Sequence, residues 1–255
     1  MAAVASQPPV GFVSGFTQDQ NFQPLDQCGV PNPFFYHSWA NDFNEALVAG
    51  NYTSTATGTG ASAFASTAGD GGLITGTSGT TAGVVGLQAL PASFTINSQP
   101  KKVFYEARAN LSVVNDAGIT LLFGLFQSAS AGVPTDGVYL KYVNGVWTLN
   151  SIVSSTLTAV TTPTLATPVN ATAFDVGIYM TRLGDVLGYV DSQLVGFIPQ
   201  SNLGTPGNPQ NAGAVARLIG PTLTTVALSP GVFMVQTGTN ARTLLVDFMG
   251  AWKER

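Results

Sequence analysis

Charge is what this chain has least of. Only 9% of its 255 residues are Asp, Glu, Lys or Arg, against about 25% in an ordinary soluble domain. It has one histidine, His37, and one cysteine, Cys28. A lone cysteine excludes an intrachain disulfide, so stability must come from packing. No basic run exceeds Lys101-Lys102 and the net charge is −4. That excludes the phosphate-neutralising patch a nucleic-acid partner requires. No stretch approaches the ~20 apolar residues that span a bilayer. The start, Met-Ala-Ala-Val-Ala-Ser-Gln-Pro-Pro-Val, lacks the basic head and apolar core of a secretory signal, and the expectation is synthesis in a cytoplasm. The Asn-x-Ser/Thr triplets at Asn51, Asn110 and Asn170 then carry no weight. Helical periodicity is nearly absent, with at most a turn or two over Ala212–Ile219. Catalysis draws on titratable groups, positioned nucleophiles or metal ligands, and few of any are present. The composition points to a protein that presents surface.

What the chain does have is apolar residues, 45% of the total, in a strong β pattern. Residues 1–33 read as an arm in which prolines at 8, 9, 24, 31 and 33 break any period: either a disordered terminus or an extended arm that Phe12, Phe16 and Phe22 punctuate as apolar anchors. The aromatic run from Phe34 and Phe35 to Trp39 reads as the first strand of a body spanning 34–255. Residues 50–84, rich in Thr, Ser, Ala and Gly, read as short strands joined by glycine-rich loops. From 103 the alternation is clear. Val103, Tyr105, Ala107, Ala109 and Leu111 fall on one face, with Phe104, Glu106, Arg108 and Asn110 on the other. Further strands are expected at 119–127, 137–143, 146–150, 174–180, 186–190, 194–198, 231–237 and 242–249. Asn144-Gly145 is the strongest hairpin signal; Asn115–Gly118, Gly184-Asp185 and Asp191-Ser192 also read as turns, and 199–213 as a long loop. Many strands with short antiparallel connections predict an all-β, two-sheet antiparallel jelly-roll sandwich with an N-terminal arm.

The candidate sites are thin. Glycoside hydrolysis needs two carboxyl groups about 5–9 Å apart, yet the glutamates are only Glu45, Glu106 and Glu254, and no strand alternates two acids, which leaves only a pair drawn from different strands, for instance Glu106 with an aspartate. Glu106 is expected to pair with Arg108, Arg242 or another cation beside the sheet. His37, in an aromatic strand, reads as a packed residue rather than a base, and no Gly-x-Ser-x-Gly elbow occurs. Asn115-Asp116 and Asp136-Gly137 are the best loops for calcium, but such turns are common in β proteins. Trp39, Trp147, Trp252 and Tyr142 could stack on sugars, although on a sandwich such rings are mostly core. Alternation puts Arg242 and Asp247 on opposite faces, so Asp247 needs a partner from elsewhere or an exposed position. Lys253-Glu254-Arg255 reads as a solvated end. No catalytic, cofactor or metal residues are assigned.

Six segments resemble the concanavalin A-like lectin/glucanase jelly rolls as used in tailed-bacteriophage virions: Asn41-Asp42-Phe43, Gly72–Thr77, Val103–Arg108, Asp136–Leu140, Gly145-Val146-Trp147 and Arg242–Phe248. The chain lacks the Glu-x-Asp-x-Glu strand of the enzymatic members and the clustered Asp and Asn ligands of metal-dependent legume lectins. The resemblance implies a non-enzymatic capsid decoration (cement) protein on the virion surface, made in the bacterial host's cytoplasm and homotrimeric. It would bridge subunits of the major capsid protein through the arm and a sandwich edge, with Phe12, Phe16, Phe22, Phe34 and Phe35 as assembly contacts and no nucleic-acid or membrane partner. The alternative is a carbohydrate-binding head or tail-fibre module; a glycanase is third.

Overall fold

The computed structural model describes residues 36–44, 47–48, 50–66, 72–96, 101–114, 116–128, 132–161, 168–181, 184–198, 224 and 226–254. The five assembly phenylalanines, Cys28, the arm and Ala212–Ile219 lie outside them.

The described residues form strands β1 (Tyr36–Asn41), β2 (Tyr52–Ala56), β3 (Ser62–Ser66), β4 (Ile74–Thr77), β5 (Gly83–Ala89), β6 (Val103–Leu111), β7 (Ile119–Phe126), β8 (Gly137–Val143), β9 (Val146–Val153), β10 (Thr156–Thr161), β11 (Ala173–Met180), β12 (Val186–Val190), β13 (Gln193–Ile198), β14 (Ser229–Gln236) and β15 (Thr243–Glu254). No helix occurs among them. Every pairing is antiparallel. Sheet A runs β13-β12-β11-β6-β15-β4-β3, with β1 also on β15; sheet B runs β10-β9-β8-β7-β14-β5-β2. This is the expected jelly-roll sandwich.

Alternation places the core. The odd residues of β6 from Val103 to Leu111 and Phe174, Val176, Ile178 and Met180 of β11 point inward. They meet Leu121, Phe123 and Leu125 of β7 and Leu140, Tyr142, Trp147 and Leu149 of β8 and β9. Phe123, Trp147 and Phe174 pack edge-on or tilted with centroids about 6 Å apart, the favoured geometry for aromatic rings. Two core tyrosines satisfy their hydroxyls on main-chain carbonyls: Tyr105 donates to Gly231 at 2.9 Å and Tyr142 to Val114 at 3.0 Å.

β7 is apolar on both faces because the outer face of sheet B is covered as well. Leu122, Phe126, Tyr139, Ile152 and Phe233 form a second apolar cluster there. Gly132 approaches the side chains of Val84 and Val235 on this face.

The hairpin at Asn144-Gly145 has both residues at positive φ, 45° and 86°, as a primed turn requires. The Asp191-Ser192 turn has the same signature, and so does Ser154-Ser155, which joins β9 to a strand, β10, that the sequence reading does not contain. At the C-terminus the final strand runs to Glu254 rather than ending at 249. It is held on both sides, by β1 and β6, and Lys253 donates to Thr95 Oγ1 at 2.8 Å, so 253–254 are not a solvated end.

Candidate functional site

The outer face of sheet A gathers the chemistry the described chain possesses. Register fixes it in rows across the strands. One row reads Phe197 (β13), Leu187 (β12), Tyr179 (β11), Phe104 (β6), Trp252 (β15) and Ser38 (β1). It is an apolar stripe across the sheet, exposed at the β13 edge and buried toward its middle. Phe104 stacks on Tyr179 with centroids 4.9 Å apart, and Tyr36 meets Phe104 edge-on.

The next row reads Tyr189, Gly177, Glu106, Gly250 and Ala40. Glu106 therefore lies between two glycines on the central strand. The missing side chain of Gly250 lets rings lean in: a Cβ there would sit 2.3 Å from Trp252 Cη2 and 3.0 Å from Phe248 Cζ. Glu106 is only 1% exposed, and its Oε2 is buried without a hydrogen-bond partner. Burial, reinforced by the negative charge of Asp175 and opposed by Arg108, pushes its carboxyl up to about 9. At neutral pH Glu106 is a neutral acid.

The third row is charged. Arg108 sits opposite Asp175 of β11, with Nε 3.9 Å from Asp175 and 3.6 Å from Asp247. Asp247 reaches the face through a bulge between Val246 and Phe248, which puts two successive residues over one partner. Burial raises the Asp175 carboxyl, and Asp191 and Asp247 add to this while Arg108 opposes it. The expectation that Asp247 needs a partner from elsewhere or an exposed position is met on both counts, by Arg108 and by a half-exposed side chain. The expected pairing of Glu106 with Arg108 or Arg242 is not: Arg108 serves the two aspartates, and Arg242 binds Asp116 at 2.7 and 2.9 Å.

β1 and β4 lie end to end along β15, and an oxygen-rich corner fills their junction. Asn41 Oδ1 accepts from the Phe43 amide at 2.6 Å, holding Phe43 at φ +56°, a conformation unusual for a bulky residue. Gly72, at φ +94°, faces Asn44 Oδ1, the Asp42 carbonyl and Asp247 Oδ1. A depression of about 430 Å³ opens there, lined by Ala40, Asn41, Asp42, Asn44 and Phe248. This donor set comes nearest to a hard-cation site, but among the described residues no three His, Cys, Asp or Glu converge. The two loops singled out for calcium are otherwise engaged. Asp116 is occupied by Arg242 and by the Gly118 amide, and Asp136 Oδ1 accepts from the Ser154 amide.

The other rings and the histidine are placed as follows. Trp147 is 3% exposed, and Tyr142 and Trp252 are also buried. Trp39 packs partly buried against the core. The half-buried rings on the face are instead Tyr179, Tyr189 and Phe248, which alternation places but burial alone singles out. His37 lies against Phe94 at 4.9 Å and its Nε2 is 2.9 Å from Ser93 Oγ, so it is packed, as expected. Chemically, the face offers aromatic surface, a neutral carboxyl and one arginine shared between two aspartates.

No protein-family model matches the chain, and no curated protein matches it either. Solved structures do. A protein of unknown function from Shewanella oneidensis MR-1 superposes with a TM-score of 0.55 at 16% identity, over 86% of this chain and 87% of that one. An endo-1,3-beta-glucanase from Streptomyces sioyaensis gives 0.56 at 12%, over 87% and 98%. The carbohydrate recognition domain of Emp47p gives 0.54 at 12%, again over 87% and 98%. At such identities the likeness speaks to fold alone: the body of this chain is a concanavalin A-like jelly roll of the kind seen in glucanases and carbohydrate-recognition domains.

Proposed function

We propose that this chain is a non-enzymatic structural protein of a phage virion, one that decorates and stabilises the capsid by bridging neighbouring capsid subunits. The observation that supports it most is the apolar stripe of sheet A. It emerges at strand β13, which carries neither charge nor proline, and contiguous apolar surface of this kind marks a site of association. Interface cores are likewise depleted of charge and enriched in aromatic residues. The acids argue for binding over hydrolysis, because Glu106 is sealed and neutral while Asp175 and Asp247 share Arg108. The drive is apolar burial at ~25 cal/mol per Å², less the cost of ordering what docks. The test is co-sedimentation of the full chain with capsid shells stripped of decoration. Saturable binding that is lost when residues 1–33 are deleted, with the sandwich still folded, is the expected result. Shells left bare by the full chain would overturn it.

A second reading, a carbohydrate-binding module, is favoured by one specific feature: Tyr179, Tyr189 and Phe248 are half-buried rings on the face that carries the Arg108 triad, with Phe248 directly opposite Arg108. Trp147 is not the reader, being core. Saturable binding on a glycan array that disappears with Tyr189→Ala would support this reading. An array without signal would remove it.

A further inference from the structure

We propose that the end of the sandwich where β1 and β15 meet residues 93–96 is a docking site for a carboxylate-bearing segment of a partner protein, with Lys101 and Lys253 as its cations. Such docking does not depend on which assembly the chain joins.

Register builds the site. On β15, Met249 and Ala251 point into the core, and alternation puts Lys253 next on that side, at the mouth between the sheets. It lies opposite Val103 of β6 and His37 of β1. Residues 93–96 border the mouth and are fixed there. Phe94 is fully buried and exchanges main-chain hydrogen bonds with Leu228, and Ile96 joins the same core. Between them, Thr95 Oγ1 accepts from Lys253 Nζ at 2.8 Å. Lys101 stands two residues before Val103, near enough for its charge to act on Lys253.

Two of the chain's four lysines are thus held together. Among the described residues neither enters an ion pair, and residues 97–100, Asn-Ser-Gln-Pro, add no charge. Glu254 falls on the other face of β15 with Trp252, where its Oε2 accepts from the Lys102 amide at 3.2 Å. An ammonium has three donors. Lys253 gives one to a neutral hydroxyl, and no described group takes the other two. Burial, and then the charge of Lys101, hold its pKa below the ordinary lysine value. The fold bears that cost, and a carboxylate docked between the two ammonium groups offsets it.

A protein segment fits better than a nucleic acid or a free phosphate. Two lysines on a chain of net charge −4 make no track for a polyanion. The described arginines that could fork onto phosphate, Arg108 and Arg242, are engaged by aspartates elsewhere. Leu90, Pro91 and Ala92, all exposed, lead directly into the site. A peptide can cover this apolar surface while its carboxylate meets the lysines, which a bare ion cannot.

The experiment is NMR on the full chain with its lysines isotope-labelled at Cε, titrated with the peptide Ala-Leu-Asp-Glu-Leu-Gly. Four lysine signals arise, and Lys141, on β8 of sheet B, is the internal control. Saturable shifts of Lys101 and Lys253, none at Lys141, and none with the Asn-Gln version of the peptide are the expected result. Lys101→Gln should weaken binding about tenfold, and Lys101→Arg should keep it. Lys101 lies outside any strand, so these variants test the site even where Lys253→Gln fails to fold, which circular dichroism checks. Unmoved signals, or shifts spread equally over all four lysines, overturn the site. Tighter binding of inorganic phosphate or of an oligodeoxynucleotide than of the peptide overturns the choice of partner.

Discussion

Replacing Glu106 by Gln should stabilise the protein, and increasingly so as pH rises. Glu106 has a folded-state pKa of about 9 against an ordinary 4.5. Between those values the unfolded chain releases a proton that the folded one retains, so folded stability falls as pH rises. One pKa unit is worth 1.36 kcal/mol, and the penalty grows by about that much per pH unit above 4.5. It reaches about 3 kcal/mol at pH 7 and about 5 at pH 8.5, as order-of-magnitude figures from the same relation. Below pH 4.5 it vanishes, because both states are protonated. The substituted glutamine keeps the volume and the neutral form and carries no such penalty. Asp175, whose raised carboxyl acts in the same direction for its own reasons, is common to both proteins. Its contribution cancels in the comparison. The assay is urea unfolding followed by tryptophan fluorescence at several pH values between 5.5 and 8.5. The wild type should lose about 4 kcal/mol over that range relative to the variant. In thermal melts the variant should lead at pH 7 by about 6–12 °C, at 2–4 °C per kcal/mol for a chain of this size. Parallel pH profiles would refute the reasoning, for they would mean that Glu106 is ionised in the folded protein or exposed to water.

Three further outcomes follow from packing. Gly86→Ala places a Cβ 2.0 Å from Phe233 Cδ1, and displacing that ring should cost about 1–3 kcal/mol in urea unfolding. Asp116→Ala strands the partly buried Arg242 and releases the Gly118 amide, with an expected loss of about 1–3 kcal/mol; a loss within error would mean the contact of both Arg242 nitrogens with Oδ2 is not formed in solution. Trp147→Ala empties the centre of the Phe123, Tyr142 and Phe174 cluster and should cost about 3–5 kcal/mol without changing any glycan signal, which calorimetry and the array would read separately.

The sandwich was legible because pleated strands send alternate side chains to opposite faces. β6 and β11 alternate cleanly enough to give their core residues by inspection, and Asn144-Gly145 announces its turn because both residues tolerate positive φ. β10 escaped because Ser154-Ser155 performs the same turn without glycine or asparagine. The apolar reading of β7 as a single strand was sound, yet its outward Leu122 and Phe126 make sense only once a second cluster covers sheet B. The end of β15 was misjudged because its length is set by what lies beside it, β1 and β6, and not by its own composition.

The sequence by itself determined that this is a charge-poor, all-β chain with little to spare for chemistry, since composition and period two are local properties. Only the tertiary structure decided which residues share a surface. Arg108 meets Asp175 and Asp247, far apart in the chain, through sheet register, and a bulge that alternation does not encode brings Asp247 to the right face. Glu106 lies between Gly177 and Gly250 on two other strands, and the absent side chain of Gly250 leaves the space that Trp252 and Phe248 fill. Long-range pairing, unlike the pleat, is a property of the whole chain.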